Sequence, residues 1–292
     1  MSVVNDLESR PTAVSIEHLV PAQAYQDLSP AQREAQSMNR IGQLACAAMG
    51  PVMLILFVIG AVWLAGYWPP QKLPGANAVQ VLDWYAKHNT RLKVGLVFMT
   101  CAYAVMCFYG VVMAVQTRRK EGAYPVWTYL QLTCMACGTA QIVIMGAAWA
   151  AAAFRAAGCS SRNPCHLVRG SAEFLAYAHD VQMMHDFGWM ILLGTWMPFT
   201  IWNIALGMAI LLDKTDTPVF PRWSGYLSLL SGVSYALGSG CWFFFEGAMG
   251  WNGLLALYYV FAIFGFWVLY FAWASYKNVQ RGYVHQQDIL TA

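Results

Sequence analysis

Residues 46–67 read CAAMGPVMLILFVIGAVWLAGY, an unbroken run without a single charged side chain. About 20 mostly apolar residues, at 1.5 Å each in a helix, cover the ~30 Å hydrocarbon core of a bilayer. Cys46–Tyr67 is therefore long enough to cross. Val94–Val115, Trp127–Phe154, Trp189–Leu212, Trp223–Phe245 and Leu254–Tyr276 have the same character and no interior charge. A backbone in lipid must satisfy its own hydrogen bonds, which a helix does within one segment. The expected fold is all-α, a polytopic membrane bundle of six transmembrane helices over residues 41–276. Cytoplasmic tails are expected at 1–40 and 277–292.

Composition agrees with this reading. Hydrophobic residues make up 59% of the 292 and charged ones 11%, against about 25% charged in a soluble domain. One bundle fills that length and leaves no separate soluble domain. A net charge of +3 is too small to argue for nucleic acid as a partner. The first forty residues are polar and lack the apolar core of a signal peptide, so the chain is expected to start in the cytoplasm. Residues 1–28 have no period and are expected to be disordered. Ser29-Pro30 then reads as a cap and first-turn proline of a helix that enters the first span and bends at Pro51.

Loop charges orient the chain. One side carries Arg10, Arg33, Arg40, Arg118, Arg119, Lys120, Lys214, Arg222, Lys277 and Arg281; the other carries Lys72, Lys87, Arg91, Lys93, Arg155, Arg162 and Arg169. The richer side is expected to face the cytoplasm, with both termini. Six cysteines fall inside spans, where a thiol packs like any small apolar group, and Cys134-x-x-Cys137 is read that way. Cys159 and Cys165 instead bracket a polar loop on the outer side and are candidates for a disulfide, with a turn at Pro164. In the first outer loop, residues 68–91, prolines mark turns. Val79, Val81, Leu82 and Tyr85 suggest a short amphipathic helix on the membrane surface. The run Ala147–Ala153, broken by Trp149, would let a neighbouring helix approach closely.

A faint repeat runs through the chain. Tyr124-Pro125-Val126-Trp127 opens the third span and Phe220-Pro221-Arg222-Trp223 the fifth, while His88-Asn89, His185-Asp186 and Trp251-Asn252 precede the spans entered from outside. First-turn proline, interfacial Trp and Asn or Asp caps account for it without a duplication. Asp186-Phe-Gly-Trp189, Pro198, Phe220-Pro-Arg-Trp-Ser-Gly-Tyr226 and Trp251-Asn-Gly253 resemble a group of uncharacterised bacterial multi-pass inner-membrane proteins over roughly residues 180–276. The resemblance implies a bacterial inner membrane and brings no activity, cofactor or substrate. It departs at Gly247-Ala248-Met249-Gly250, where a Gly-Pro-Phe-Ala would be expected.

Two regions could hold chemistry. On the outer side, His88, His179, His185, Asp186 and Glu246 offer imidazole and carboxylate, the donors of a first-row metal or proton-transfer site. His179, Gln182 and Asp186 share a helix face at i, i+3, i+7, with His185 pointing elsewhere. No metal-ligand spacing is present, so no metal or other cofactor is assigned; a haem held by two of these histidines is the variant reading. Caps and hydrogen-bond partners explain the same residues. Glu246, after Trp242-Phe243-Phe244-Phe245, is an acid at the outer boundary, where it would turn inward or pair. At mid-depth, Pro198 frees the Gly194 carbonyl and should kink the fourth span, with Thr195, Thr200 and Asn203 around the break and Gln141 in the third. These residues are candidates for ligand binding or for bridging helices. The leading expectation is an integral membrane protein that binds or passes a small hydrophobic molecule, or a membrane partner in such a pathway. An oxidoreductase with an outer-face His/carboxylate site and a structural subunit are the alternatives. The partners expected are the lipid bilayer, a hydrophobic ligand, and a membrane protein or second copy.

Overall fold

The computed structural model describes residues 30–281 apart from 72, 119, 120, 122, 160–164, 216 and 217. Residues 1–28, Ser29, Arg119, Lys120, Arg162, Pro164 and the tail after Arg281 lie outside the described residues. The described elements are all helical: α1 (Pro30–Phe57, continued as a π-helix over Val58–Leu64), α2 (Ala78–Lys87), α3 (Asn89–Arg118), α4 (Val126–Ala156), α5 (Ala172–Gly194), α6 (Met197–Leu212), α7 (Arg222–Tyr235, continued as a 3-10 helix over Ala236–Trp242) and α8 (Val260–Gln280, preceded by a π-helix over Leu254–Tyr259).

Five described helical stretches are long and apolar enough to cross a membrane: Ser37–Leu64, Asn89–Arg118, Val126–Cys159, Ala172–Leu212 and Leu254–Gln280. The stretch expected over Trp223–Phe245 is not among them, for a physical reason. Its α-helix stops at Tyr235, and Ser224, Ser228, Ser231, Ser234 and Ser239 make it less apolar. The first four of those serines are buried against the bundle. Ser228 Oγ donates to the Asn203 carbonyl at 2.9 Å and accepts from Trp267 Nε1 at 3.1 Å.

Small residues set the closest helix crossings. A Cβ on Gly60 would lie 2.7 Å from the Gly95 carbonyl oxygen, and one on Gly95 would lie 2.6 Å from Ala65 N. The π segment after α1 thus meets α3 backbone to backbone, the contact that drives helix association where lipid is as apolar as Leu. At the opposite ends, amides clasp α1, α3 and α8. Gln116 Nε2 donates to Gln43 Oε1 (3.3 Å) and to the Ser275 carbonyl (3.1 Å), and Asn278 Nδ2 donates to Gln116 Oε1 (3.3 Å). Glu121 caps α4, accepting from Trp127 N (2.7 Å) and Thr128 N (3.2 Å), where a carboxylate also meets the positive end of the helix dipole.

Three expectations need correcting. The helix in the first outer loop forms, opened by a capping box between Asn77 and Gln80, but Val81, Leu82, Trp84 and Tyr85 are buried against the bundle rather than resting on lipid. An amphipathic period fixes which face is apolar and leaves open what covers it. Next, His185-Asp186 does not open a helix. α5 starts at Ala172, where Ser171 accepts from Phe174 N at 3.2 Å, so the pair sits in mid-helix. Finally, the fourth span is broken rather than kinked: α5 ends at Gly194, and Pro198 lies in the first turn of α6, where a missing N–H costs no helical bond.

The carbonyl freed at that break is met from another helix. Ser239 Oγ donates to Gly194 O at 2.7 Å, while Thr195 Oγ1 turns back to Ile191 O at 2.7 Å. Ser239→Ala leaves that carbonyl unpaired and is expected to destabilise the bundle by ~1–3 kcal/mol, the cost of an unmet buried polar group. Pro198→Ala, in a first turn, should cost less. Thermal unfolding of the two variants side by side checks the order.

Candidate ligand cavity

The break between α5 and α6 and the two π segments border one cavity of about 490 Å³. Its walls come from six places in the chain. Met53, Leu54, Phe57, Val58 and Val62 line it from α1 and its π extension, and Tyr103 and Met106 from α3. Ile142 of α4 and Leu192, Trp196 and Phe199 around the break form the back. Tyr258, Phe261, Ala262 and Phe264 close it from the last span, and Trp68 covers one end. None of these side chains is charged. The volume is that of an ordinary small-molecule site.

Rings shape the interior. Phe57 stacks on Phe261 at 5.5 Å between centroids, Tyr103 lies 6.3 Å from Phe57, and Trp196 lies 5.7 Å from Phe261 and 5.8 Å from Phe264. Val58 and Ala262 are exposed, so the cavity opens between α1 and α8 on an apolar flank of the bundle. Tyr103 Oη and Trp196 Nε1 are buried and have no hydrogen-bond partner, although the two residues are only 5% and 3% exposed.

A second construction lies at the end of the bundle that α2 covers. His185, 2% exposed, is surrounded by Tyr67, Trp84, Tyr85, Trp189 and Trp251, with ring centroids 5.6–6.4 Å away. Trp189 Nε1 is 3.2 Å from His185 Nε2 and Tyr85 Oη is 3.1 Å from Nδ1. An indole N–H can only donate, so Nε2 accepts and Nδ1–H donates to Tyr85 Oη. Tyr85 is then free to donate to Tyr67 Oη at 2.9 Å. Burial pushes the Tyr85 phenol well above its usual range, which keeps that proton in place. Trp149 stacks on Tyr67 at 4.0 Å and donates to the His185 carbonyl at 3.1 Å. With both ring nitrogens engaged, His185 ties α2 to α5.

The other sequence candidates are dispersed. His179 and Asp186 share a shallow groove on α5 with Gln182, whose Nε2 donates to Ala76 O at 3.0 Å. Glu246 is exposed after the 3-10 turn, with Oε1 3.6 Å from where a Cβ on Gly75 would stand. The 75–76 turn therefore touches Glu246 at one residue and α5 at the next. His88 closes α2, with Nδ1 3.0 Å from Trp84 O. Gln141 reaches Ile191 O at 3.4 Å, and Asn203 Nδ2 folds back to Phe199 O at 2.9 Å. Thr200 Oγ1 is buried without a partner. Among the described residues, no three His, Cys, Asp or Glu side chains gather to hold a metal ion. The Cys159 and Cys165 sulfurs are bonded at 2.02 Å.

Tyr103 and Trp196 did not stand out in the sequence. Their signal is position: Tyr103 lies in mid-helix in α3, whereas membrane tyrosines concentrate at the interfaces. No protein-family model, curated protein or solved structure matches the chain.

Proposed function

We propose that the protein binds a small hydrophobic molecule within the bilayer of a bacterial inner membrane, either to pass it on or to present it to a membrane partner. The observation that carries this reading is the apolar cavity of about 490 Å³ that opens on the lipid-facing flank between α1 and α8. A ligand dissolved in the membrane reaches such a mouth without crossing water. The engagement of both His185 nitrogens favours this over a metal held by that histidine. Saturable binding of an apolar, environment-sensitive dye to the purified protein in lipid nanodiscs tests the proposal. Uptake that only follows the amount of lipid contradicts it.

Six crossings with both termini cytoplasmic is the arrangement proposed. α7 and its 3-10 extension contain 14 and 7 residues, or about 35 Å at 1.5 and 2.0 Å per residue, enough for the hydrocarbon core. Trp242 Nε1 lies 3.4 Å from Met190 O, and the Trp251 ring 5.7 Å from His185, so the chain returns to the outer end after α7. Reporter fusions at both termini should read as cytoplasmic, and a periplasm-active reporter between Cys159 and Cys165 should be active. An inactive loop fusion overturns the topology.

A further inference from the structure

We propose that Phe57 and Phe261 form a gate across the mouth of the α1/α8 cavity, and that Phe261 is the ring that moves to admit a ligand. The proposal rests on the reading of the cavity as a binding site and names the step that controls entry. α1 and α8 pack tightly at one level, where a Cβ on Gly50 would stand 3.2 Å from Ala272 Cβ. Val58 lies further along the same helix, about 12 Å from Gly50 at 1.5 Å per residue. It is exposed, as is Ala262 on α8. The two helices are therefore closed at Gly50 and open at Val58. Phe57 and Phe261, one from each side, stack on each other at this opening with ring centroids 5.5 Å apart. Trp68 meets Phe261 at 4.8 Å and Tyr258 at 5.2 Å, both edge-on, which covers one end.

Backbone geometry marks the same two positions. α1 ends at Phe57 and goes over to π geometry at Val58, while α8 starts at Val260, directly after the π segment Leu254–Tyr259. π turns are rare and occur mostly at functional sites, and here both described π segments abut the stacked pair. The two sides differ in freedom. Beyond Phe57 the π segment is pinned, since a Cβ on Gly60 would lie 2.7 Å from the Gly95 carbonyl oxygen of α3. Phe261 has open space beside it. A helical side chain lies over the turn before its own Cα, so residue 265 is the one that would cover Phe261. That residue is glycine, and a Cβ on Gly265 would meet nothing within 4 Å. No side chain at this position of α8 stops the Phe261 ring from swinging away from Phe57.

The test fills that space and follows exchange rather than affinity alone. A propionylnaphthalene dye is bound to the full-length protein in nanodiscs, and its release is timed by stopped flow after excess 2-isopropylnaphthalene is added. Gly265→Leu sets a side chain over Phe261, and Gly265 itself does not line the cavity. Uptake and release should both slow by about tenfold. The dissociation constant should not change, because a barrier raised equally from both sides leaves the equilibrium alone. Gly265→Ala adds only a Cβ that would meet nothing within 4 Å. It should exchange like the wild type, which separates obstruction from the gain in helix propensity. Phe261→Ala removes the moving ring and should speed release by about tenfold or more. Unchanged rates in Gly265→Leu, alongside saturable binding to the wild type, overturn the gate and leave the cavity reading standing. Release from Phe261→Ala no faster than from the wild type overturns it as well. A weaker dissociation constant with uptake unchanged in Gly265→Leu makes residue 265 a binding contact and also overturns it. Absence of saturable binding in the wild type removes the gate together with the cavity reading.

Discussion

Replacing Trp149 with alanine is expected to cost the bundle ~3–5 kcal/mol, the range for truncating a large aromatic in a packed interior. Trp149 is fully buried, stacks on Tyr67, meets Trp189 edge-on at 5.2 Å and donates to the His185 carbonyl. Gly188 exists to admit it: a Cβ there would stand 2.2 Å from Trp149 Nε1. In lipid the loss is less a matter of water than of dispersion contacts, because the void left behind has no atoms to replace them. Trp149→Phe keeps most of the ring and should cost only the hydrogen bond and the smaller gap. Graded detergent unfolding measures both. A cost below ~1 kcal/mol for Trp149→Ala would mean that the aromatic box is not what fixes α4 against α5.

The second large effect is on binding. Leu54→Trp combined with Ala262→Trp sets two indoles on either side of the lipid-facing mouth, one on α1 and one on α8. Leu54 is only half-buried and Ala262 is exposed, so neither change crowds a filled core. Stability should hold while dye affinity falls at least tenfold, about 1.4 kcal/mol or more. Unchanged affinity would place the dye somewhere other than this cavity.

Much of this architecture was legible from hydropathy, because crossing helices announce themselves by length. What was not legible depended on partners distant in sequence. Pro198 marked the region of the α5/α6 break correctly, but the residue that meets Gly194 is Ser239, 45 positions on and in another helix. The α7 segment read as a uniform span, although its serines face the bundle and its last turns tighten to 3-10 geometry. The i, i+3, i+7 spacing put His179, Gln182 and Asp186 on one face, and they do line one groove. The same reasoning pointed His185 elsewhere without saying that Tyr85, 100 residues earlier, would meet it. The cavity was the least legible feature. Its lining is Met, Leu, Val, Ile and aromatic residues that look the same in sequence whether they face lipid, a neighbour or a void.

The central claim, an apolar binding cavity between α1 and α8, is tested most directly by photolabelling in nanodiscs with a diazirine-bearing apolar aromatic compound, followed by peptide mapping. Labelling should saturate and concentrate on Val58, Tyr103, Trp196 and Phe261, all of which line the cavity. It should also disappear with excess unlabelled compound. Labelling that never saturates, spread over lipid-exposed residues such as Ile144, Phe266 and Trp273, would contradict the claim.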